Sequence, residues 1–427
     1  MGCMSRDATL LLCGQGLRAA GYGFTTVVLG ALLADRGYST LRVGTVLTAV
    51  IAGTAMASLA VGALADRLGR RRCYTGLFLA IAAAGVIAAA DGPFWLLLVL
   101  ALTGTLSTDA VDNGPGSTLE QVMLAAEDAG TARVYGRYNA VGAGAAALGA
   151  LAAALPALGE RSSTVPAWSL GVLTPVGLAG ALLAAWLSPA VEAPVHGGPA
   201  SLEAEGYLPS GLAESRPLVR RLSGLFALDT AGSALITTGF LSYFFAQRYG
   251  VSLAALGWLF FTVSLVQAAA VMLAPRLTAR FGLVATMVGT HLPSNLLLAA
   301  VAFAPSFDVA AGLLVVRTSL SRMDVPTRQA FVMAVVTPRE RTAAAAATNA
   351  ARYTVRPVGP LVAGVLQQVS LAAPLVVAGV IKGGYDLALW RCARQLPLHR
   401  PGTACGPGPF SLADLGHPAR PGGLGRS

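Results

Sequence analysis

The sequence predicts an all-α integral membrane protein with twelve transmembrane helices in two pseudo-symmetric six-helix bundles. Three observations support this prediction: the composition, the apolar runs and an internal repeat. Of the 427 residues, 55% are hydrophobic and only 12% are charged. A soluble domain usually carries about 25% charged residues. The chain is therefore expected to lie in a lipid bilayer.

The composition also excludes several classes of function. The net charge is +10, but the basic residues lie in short breaks between apolar runs and form no basic face, so we expect no nucleic-acid partner. The five cysteines form no CxxC pair and no ligand spacing with the four histidines, so we expect no metal, no cofactor and no disulfide framework. No nucleophile–base pair or Walker loop occurs, so we expect no enzyme. The segment "GAGAAALG", residues 142–149, predicts close helix packing rather than a phosphate loop.

Twelve runs are long enough to span a membrane, which requires about 20 mostly apolar residues. The first run is too long for the apolar region of a signal peptide. The fourth and tenth runs contain Pro115 and Pro326, so we expect both helices to bend there. The predicted spans, I to XII, are 8–34, 41–64, 74–90, 93–124, 132–158, 167–187, 219–246, 253–274, 283–304, 308–336, 342–370 and 373–392.

The distribution of arginine predicts the orientation, because cytoplasmic loops carry an excess of basic residues. One set of loops carries ten arginines, at positions 67, 70, 71, 72, 133, 137, 276, 280, 339 and 341. The opposite set carries four, at positions 36, 42, 161 and 248. We therefore expect a multi-pass protein of the cell membrane with both termini in the cytoplasm.

An internal repeat divides the chain. The segment "RAAGYGFTTVVLGALLADRGYS" from Arg18 is echoed by "DTAGSALITTGFLSYFFAQRYGVS" from Asp229, and "LEQVMLA" from Leu119 by "RQAFVMA" from Arg328, at an offset of roughly 210 residues. Parallel repeats of this kind are a known plan of transporters, with the substrate site between the halves. We expect an N-terminal bundle at 1–187, a flexible cytoplasmic linker at 188–217, a C-terminal bundle at 218–392 and a disordered cytoplasmic tail at 393–427.

The segment "GALADRLGRRR", residues 62–72, lies between spans II and III. It resembles the signature loop of the major facilitator superfamily (MFS): glycine, three residues, aspartate, arginine, any residue, glycine and a basic run. The resemblance covers residues 8–392 and is greatest to the bacterial drug-exporter branch, through "SRMDVPTRQAFVMAVVTPRER" and "RPVGPLVAGVL". The proline-containing motif of span V in the antiporters of that branch is missing.

The resemblance implies a secondary active transporter that moves a small organic solute by alternating access, with proton-coupled efflux. The partners would be the solute, protons and the lipid bilayer, and we expect a monomer. An importer or a uniporter on the same fold is the alternative. A non-transporting membrane sensor is an alternative of another class, but it would carry a folded output domain, and the sequence predicts none outside the spans.

The signature loop would close the cytoplasmic side. Gly62 would allow two helices to approach closely, and Asp66 would bind a nearby arginine or the N-terminus of span XI. In the second half the sequence "PRLTARFG" has Ala279 where Asp66 would stand, so gating should be asymmetric. Alternatively, the arginines only enforce topology. The gating residues are Gly62, Asp66, Arg67, Gly69, Arg70 and Arg71.

Charges inside the membrane cost at least about 2.5–3.5 kcal/mol, so they mark a pathway or a pair. In the superfamily, spans I, IV, VII and X line the cavity. The resemblance therefore places two sign-inverted pairs there, and these carboxylates are the candidates for proton coupling, although structural ion pairs are the alternative. The pairs are Arg18 with Asp109 or Asp112, and Asp229 with Arg317 or Arg322.

Other polar residues are expected around these pairs. Lys382 and Asp386, four residues apart, should form a structural pair, and Arg352 could pair with Asp324. His291 is expected to be a hydrogen-bonded interior histidine, since span IX does not line the cavity in the superfamily. Arg356 completes the interior charges, six basic against five acidic, which leave the charge of the substrate open. Possible polar groups of the cavity are Gln15, Tyr22, Asn113, Ser233, Thr237 and Ser321.

Overall fold

The protein is described by a computed structural model that covers residues 5–90, 92–107, 114–126, 132–155, 165–192, 215–336 and 340–394. Over these ranges it is helical, with no β-strand. The α-helices, numbered in chain order, are α1 Arg6–Asp35, α2 Thr40–Leu68, α3 Arg70–Ala89, α4 Phe94–Leu102, α5 Pro115–Ala126, α6 Ala132–Ala152, α7 Leu173–Ala185, α8 Arg216–Ala234, α9 Thr238–Tyr249, α10 Leu253–Phe281, α11 Leu283–Val301, α12 Phe307–Ser321, α13 Asp324–Val335, α14 Arg341–Val355, α15 Val358–Val369 and α16 Ala373–Arg394.

These helices follow the twelve predicted spans in order. Span VI consists of a 3₁₀ turn, Ala167–Val172, followed by α7. Spans IV, VII, X and XI each consist of two helices, and the other spans of one. Seven helical stretches in the described ranges are long and apolar enough to cross a membrane: spans I, II, III, VI, VII, VIII and IX.

Spans IV and X are broken near their prolines, as predicted. Helix α5 begins at Pro115, and α13 begins two residues before Pro326. A proline in the first turn of a helix removes no hydrogen bond, because that N–H has no partner within the helix. Spans VII and XI also break, which the sequence analysis did not predict. At the break in span VII, Thr237 accepts a hydrogen bond from the backbone N–H of Phe240 at 3.2 Å, so its hydroxyl caps α9.

The two halves repeat the same turns. Gly37 and Gly250 both have φ of +62°, while Gly69 and Gly282 have φ of +93° and +84°. The two pairs share one offset, since 250 − 37 and 282 − 69 both give 213. Each of these glycines ends a helix in a backbone conformation that side chains disfavour. The predicted internal repeat is therefore present in three dimensions.

Four pairs of helices make the main contacts between the halves: α1 with α9, α1 with α10, α2 with α15, and α6 with α10. Ser242 of α9 donates a hydrogen bond to the carbonyl oxygen of Val27 at 2.7 Å. A Cβ atom on Gly44 would lie 2.6 Å from the carbonyl oxygen of Pro360. The contacts involve the C-terminal ends of α1 and α6, the N-terminal ends of α2 and α10, and helices α9 and α15, which form the C-terminal parts of spans VII and XI. By chain direction, all of these ends lie at one face of the membrane.

Close helix packing within the N-terminal half involves the predicted glycine segment. A Cβ atom on Gly149 would overlap the carbonyl oxygen of Ala20, and one on Gly142 would lie 2.5 Å from the side-chain nitrogen of Gln15. Glycine thus allows α6 to lie directly against α1, as the sequence predicted for residues 142–149. This contact fixes α1 beside α6 and places the polar residues of α1 in the interior of the bundle.

The described ends of the predicted linker are anchored. The backbone N–H of Ser188 donates to Asp7 at 3.0 Å, and Val191 is fully buried. At the other end, the backbone N–H of Ser215 donates to Glu340 at 3.0 Å. The middle of the predicted linker, residues 193–214, and the predicted tail beyond residue 394 lie outside the described ranges.

Candidate functional site: two buried ion clusters

The first cluster, called here the amino-terminal cluster, surrounds Glu120 of α5. Arg18 of α1 donates to this carboxylate through Nη2 at 2.8 Å and Nε at 3.3 Å. The hydroxyls of Tyr74 and Tyr138 each donate to it at 2.6 Å. Gln15, one turn before Arg18, accepts from the guanidinium group. One carboxylate therefore accepts bonds from three helices, α1, α3 and α6.

This cluster is almost inaccessible to solvent, with Arg18 3% exposed and Glu120 fully buried. A buried ion pair is stable only when its remaining hydrogen bonds are satisfied, and the two tyrosines and Gln15 fulfil this requirement. Tyr22 also contributes, because its ring lies 5.6 Å from the Arg18 guanidinium carbon. The expected partners of Arg18, Asp109 and Asp112, and also Asn113, lie outside the described ranges. The described partner of Arg18 is Glu120, which the sequence analysis did not select.

A cleft opens beside this cluster within the N-terminal half. It is lined by Arg18 and Tyr22 of α1, Tyr74 and Phe78 of α3, and the start of α5 at Pro115. The cleft also borders the break in span IV, where the helix is interrupted between α4 and α5. The buried arginine therefore borders a space between helices.

The second cluster, called here the carboxy-terminal cluster, surrounds Asp229 of α8. Lys382 of α16 donates to Asp229 at 2.5 Å, and Arg328 of α13 donates to it at 3.2 Å. Arg328 also donates to Asp324, one helical turn earlier, at 2.9 Å. Lys382 donates in addition to Ser233 at 2.7 Å. The four charged side chains are at most 7% exposed.

A histidine extends this cluster toward span XII. His291 Nδ1 of α11 lies 2.8 Å from a carboxylate oxygen of Asp386, and its Nε2 lies 3.7 Å from Asp229. Asn295 donates to the second oxygen of Asp386 at 2.8 Å. His291 is therefore a hydrogen-bonded interior histidine, as predicted, but it also connects the aspartates of two other helices.

Three of the predicted pairings in this half are wrong. Lys382 binds Asp229 rather than Asp386, and Asp386 binds His291 and Asn295. The spacing of four residues does place Lys382 and Asp386 on one face, but each finds a closer partner on a neighbouring helix. Asp324 binds Arg328 within its own helix, whereas the Nε of Arg352 donates to Thr230 at 3.1 Å.

The expected partner of Asp229 was Arg317 or Arg322, and this third pairing is also replaced by Arg328 and Lys382. Arg317 lies one helix earlier, on α12, and its Nε is buried without a hydrogen-bond partner in the described part of the chain. Arg322 follows the last residue of α12, Ser321, at the break in span X, and Arg356 lies at the break in span XI.

The signature loop is bound by a residue that the sequence analysis did not consider. Helix α2 ends at Leu68 and α3 begins at Arg70. The carboxylate of Glu192 accepts hydrogen bonds from the backbone N–H groups of Arg70 and Arg71, at 2.8 and 2.9 Å. An anion at the N-terminus of a helix is stabilised by the free N–H groups and the helix dipole. The Arg71 guanidinium group also donates to the carbonyl oxygen of Ala185 at 2.6 Å.

The expected close approach at Gly62 is wrong for this conformation. A Cβ atom on Gly62 would meet no described atom within 4 Å. Gly69 is the glycine with a structural requirement, because of its positive φ. The side chain of Asp66 lies outside the described part of the chain, and Arg67 is the basic residue in the last turn of α2. The role of this loop as a gate remains a prediction.

The sequence contained a signal for the residues that were missed. Glu120 lies in "LEQVMLA" and Arg328 begins "RQAFVMA", the two segments that identify the repeat. Both charges lie inside predicted spans, at 93–124 and 308–336, yet they were not counted among the interior charges. A complete list of charges within the predicted spans would have included both partners. Tyr74 and Tyr138 carry no comparable signal, since a tyrosine in a span is usually a packing residue.

Comparison with known proteins agrees with this architecture. No family model matches the chain. The chain is 26% identical, over 85% of its length and 88% of the other protein, to an uncharacterized membrane protein of Saccharomyces cerevisiae. It superimposes on the nucleoside transporter NupG with a TM-score of 0.71 at 13% identity, covering 91% of this chain and 98% of that one.

Two further solved structures are similar. The D-xylose–proton symporter matches with a TM-score of 0.67 at 14% identity, over 92% of this chain and 98% of that one. A bacterial homologue of the human lysosomal transporter Spinster, inward-facing and occupied, gives 0.68 at 16% identity over the same shares. The chain is therefore a multi-pass membrane protein with the major facilitator fold, and its predicted fold class is confirmed.

Proposed function

We propose that this protein is a secondary transporter that moves a small organic solute by alternating access between its two halves. The observation that supports this most directly is the pair of buried ion clusters, one in each half of a major facilitator fold. Each cluster joins the first and fourth span of its half, I with IV through Arg18 and Glu120, and VII with X through Asp229 and Arg328. In the superfamily these four spans line the cavity.

The described conformation supports the same proposal. The helix pairs that join the halves lie at one membrane face, which is the extracytoplasmic face in the orientation that the arginine distribution predicts. A transporter closed on that face faces the cytoplasm. In that orientation a solute from the cytoplasm would reach the clusters, and rocking of the halves would release it outside.

We further propose proton-coupled efflux across the cell membrane by a monomer. A coupled carrier requires a group that changes its charge during the cycle, and arginine remains protonated. The carboxylates of the clusters are therefore the candidates, Asp229 and now Glu120 together with Asp109 and Asp112, with Arg18, Arg317 and Arg322 as their counter-charges. We also propose that the protein belongs to the bacterial drug-exporter branch of the major facilitator superfamily.

The solute is proposed to carry a negative group. Arg317 has a buried Nε without a hydrogen-bond partner among the described residues. The described hydrogen bond of Arg352 is to a neutral hydroxyl, that of Thr230. Asp229, the carboxylate expected to pair with Arg317, is already bound by Lys382 and Arg328. An uncompensated guanidinium group within a membrane is unfavourable, and an anionic solute would compensate it.

The test is transport by inside-out vesicles that contain the protein. Small organic anions, cations and neutral solutes are screened with and without an imposed proton gradient. The expected result is accumulation of an anionic solute that requires the gradient, and its reduction in the Arg317→Gln variant. Arg276→Gln, on the exposed end of α10, is the matched control. Accumulation without a gradient would indicate a uniporter, and no transport of any solute would favour a sensor.

The gate is tested separately. The Asp66→Asn variant should insert normally but transport poorly, because the closed state of the cytoplasmic side would lose its anion. Labelling of an engineered cysteine at the cytoplasmic mouth measures the open fraction, which should rise. If labelling and transport both remain unchanged, the loop is only a topology signal.

A further inference from the structure

We propose that the His291–Asp386 pair is the binding site of the coupling proton. This inference rests on the proton coupling proposed above and transfers the role from the cavity carboxylates to a pair between spans IX and XII. The sequence analysis had assigned a structural role to both residues.

The first argument is that no permanent cation bonds directly to Asp386 in the described part of the chain. Its hydrogen-bond partners in the described part of the chain are His291 and Asn295, and its side chain is 1% exposed. Lys382 lies on the same helix but donates to Asp229 and Ser233. A buried carboxylate without a cation is costly, and an amide does not neutralise it. One added proton makes the pair neutral, whether that proton is on the imidazole or on the carboxyl group.

The second argument is the connection to the cavity. The other ring nitrogen of His291, Nε2, lies 3.7 Å from Asp229. Asp229 belongs to span VII, one of the four spans that line the cavity in the superfamily. A proton from water in the cavity would reach Asp229, pass to the imidazole and be shared with Asp386. The transfer breaks and forms only O–H and N–H bonds, so it requires no other reactant.

The third argument is the contrast with the other half. The offset of 213 found for the paired glycines relates His291 to Phe78, since 291 − 213 gives 78. Phe78 packs against Gly180 of span VI, where an added Cβ atom would overlap its ring. The corresponding helix pair of the second half, α11 with α16, carries His291 in place of Phe78, and Asp386 in place of Leu173, since 386 − 213 gives 173. Two apolar positions of the first half are thus titratable ones in the second.

The charged and titratable groups around the His291 imidazole are consistent with its sharing a proton with Asp386. Besides Asp229 of α8, α16 contributes Lys382, Asp386 and the ring of Tyr385, whose centroid is 5.8 Å away. Arg328 of α13 is a nearby cation, and the carboxylates that it binds are Asp229 and Asp324. Two further helices, α12 and α10, pack on α11. Helix α12 carries Arg317, and the basic residues of α10, Arg276 and Arg280, are exposed. His291 is therefore the titratable group closest to Asp386.

The first experiment measures the proton directly and requires no substrate. The protein is labelled with ¹⁵N-histidine, reconstituted in lipid nanodiscs and titrated between about pH 5 and pH 9, where histidine and perturbed carboxyl groups ionise. The chain has four histidines, His196, His291, His399 and His417, and the His291→Gln variant assigns the signal. Infrared difference spectra, with Asp386→Asn as reference, detect a protonated carboxyl group. Titration of either group supports the site, whereas the absence of both changes would overturn it.

The second experiment tests coupling with the solute found in the vesicle screen. His291→Gln should lose gradient-driven accumulation while exchange of internal for external solute continues. Ser294→Ala is the matched control, because Ser294 is buried on the same helix and donates only to the carbonyl oxygen of His291, at 2.7 Å. This control should retain both activities. If His291→Gln retains gradient-driven accumulation, the pair is not the coupling site.

Different results would contradict the proposed proton coupling and the proposed assignment of the proton to His291 and Asp386. A wild-type protein that transports without any response to the gradient would contradict the proposed coupling. A wild-type protein that responds, together with a His291→Gln variant that responds equally, would contradict only the assignment to this pair.

Discussion

The two halves of this protein arrange the same kinds of charge with opposite polarity. In the N-terminal half the described carboxylate of the cluster, Glu120, lies on the fourth span and its guanidinium partner on the first. In the C-terminal half the carboxylate, Asp229, sits on the first span of the half and the guanidinium group of Arg328 on the fourth. The sequence analysis predicted this inversion of sign, although it named other partners. The comparison shows that the repeat preserves a buried ion pair between these two spans but not the positions of its members.

The two clusters also differ in how many oppositely charged partners each charged side chain has, and this difference matters more than the inversion of charge. The described carboxylate of the amino-terminal cluster has one cation and two phenols as donors. The carboxy-terminal cluster shares its charges, because Arg328 binds two aspartates and Asp229 binds two cations. Loss of one charge should therefore be more damaging in the first cluster than in the second.

The largest effect is expected for Glu120→Gln. This change leaves the buried Arg18 without its described counterion, and removal of one partner of a buried ion pair costs about 3–5 kcal/mol. The measurement is the free energy of unfolding of the purified protein in detergent. The double variant Arg18→Gln with Glu120→Gln should recover most of the loss, because no charge then remains unpaired. Wild-type stability of the single variant would mean that Arg18 has another counterion, and Asp109 and Asp112 would be examined next.

Asp324→Asn should cost less, about 1.5–3 kcal/mol, the range for a hydrogen bond to a charged group. Arg328 loses the bond of 2.9 Å to Asp324 but keeps Asp229 at 3.2 Å. The same unfolding measurement applies. A loss equal to that of Glu120→Gln would show that the second cluster is no more redundant than the first.

The helix junctions give a matched pair of substitutions. Gly69→Ala and Gly282→Ala each place a side chain at a positive φ, at a cost of about 1–3 kcal/mol. A Cβ atom at Gly69 would also lie 3.1 Å from the carboxylate of Glu192, whereas one at Gly282 would meet no described atom within 4 Å. Gly69→Ala should therefore be the more damaging of the two. The reverse order would mean that Glu192 moves away without cost.

The smallest effect is expected for Glu192→Gln, less than about 1 kcal/mol, the usual value of an anion at a helix N-terminus. Its clearest readout is amide hydrogen exchange, which should become faster at Arg70 and Arg71 because their acceptor is weakened. Helix α11, at the corresponding place, has no side-chain cap and should exchange as in the wild type. Glu203→Gln, farther along the predicted linker, is the control. Unchanged exchange at Arg70 would mean that the carboxylate contributes little there.

The fold followed from the sequence because hydrophobic composition and the repeat act over long stretches of chain. The pairings could not be derived in the same way. A helical period places Lys382 and Asp386 on one face, but it does not reveal which neighbouring helix presents a closer partner. The breaks at residues 235–237 and 356–357 also change the rotation and depth of every side chain that follows. Glu120 and Arg328 could have been found by counting charges, whereas the link from His291 to Asp229 depends on the packing of three helices.

The anchored ends of the linker determine how far it can reach. Glu192 holds one end against the start of α3, and Ser215 holds the other against Glu340. Only residues 193–214 connect these points, and an extended chain of that length reaches at most about 75 Å. That reach exceeds the full length of a transmembrane helix, so the connection does not limit how far the halves tilt. The protein should therefore tolerate being severed within 193–214, and two separately produced halves should still assemble if each keeps its own anchor.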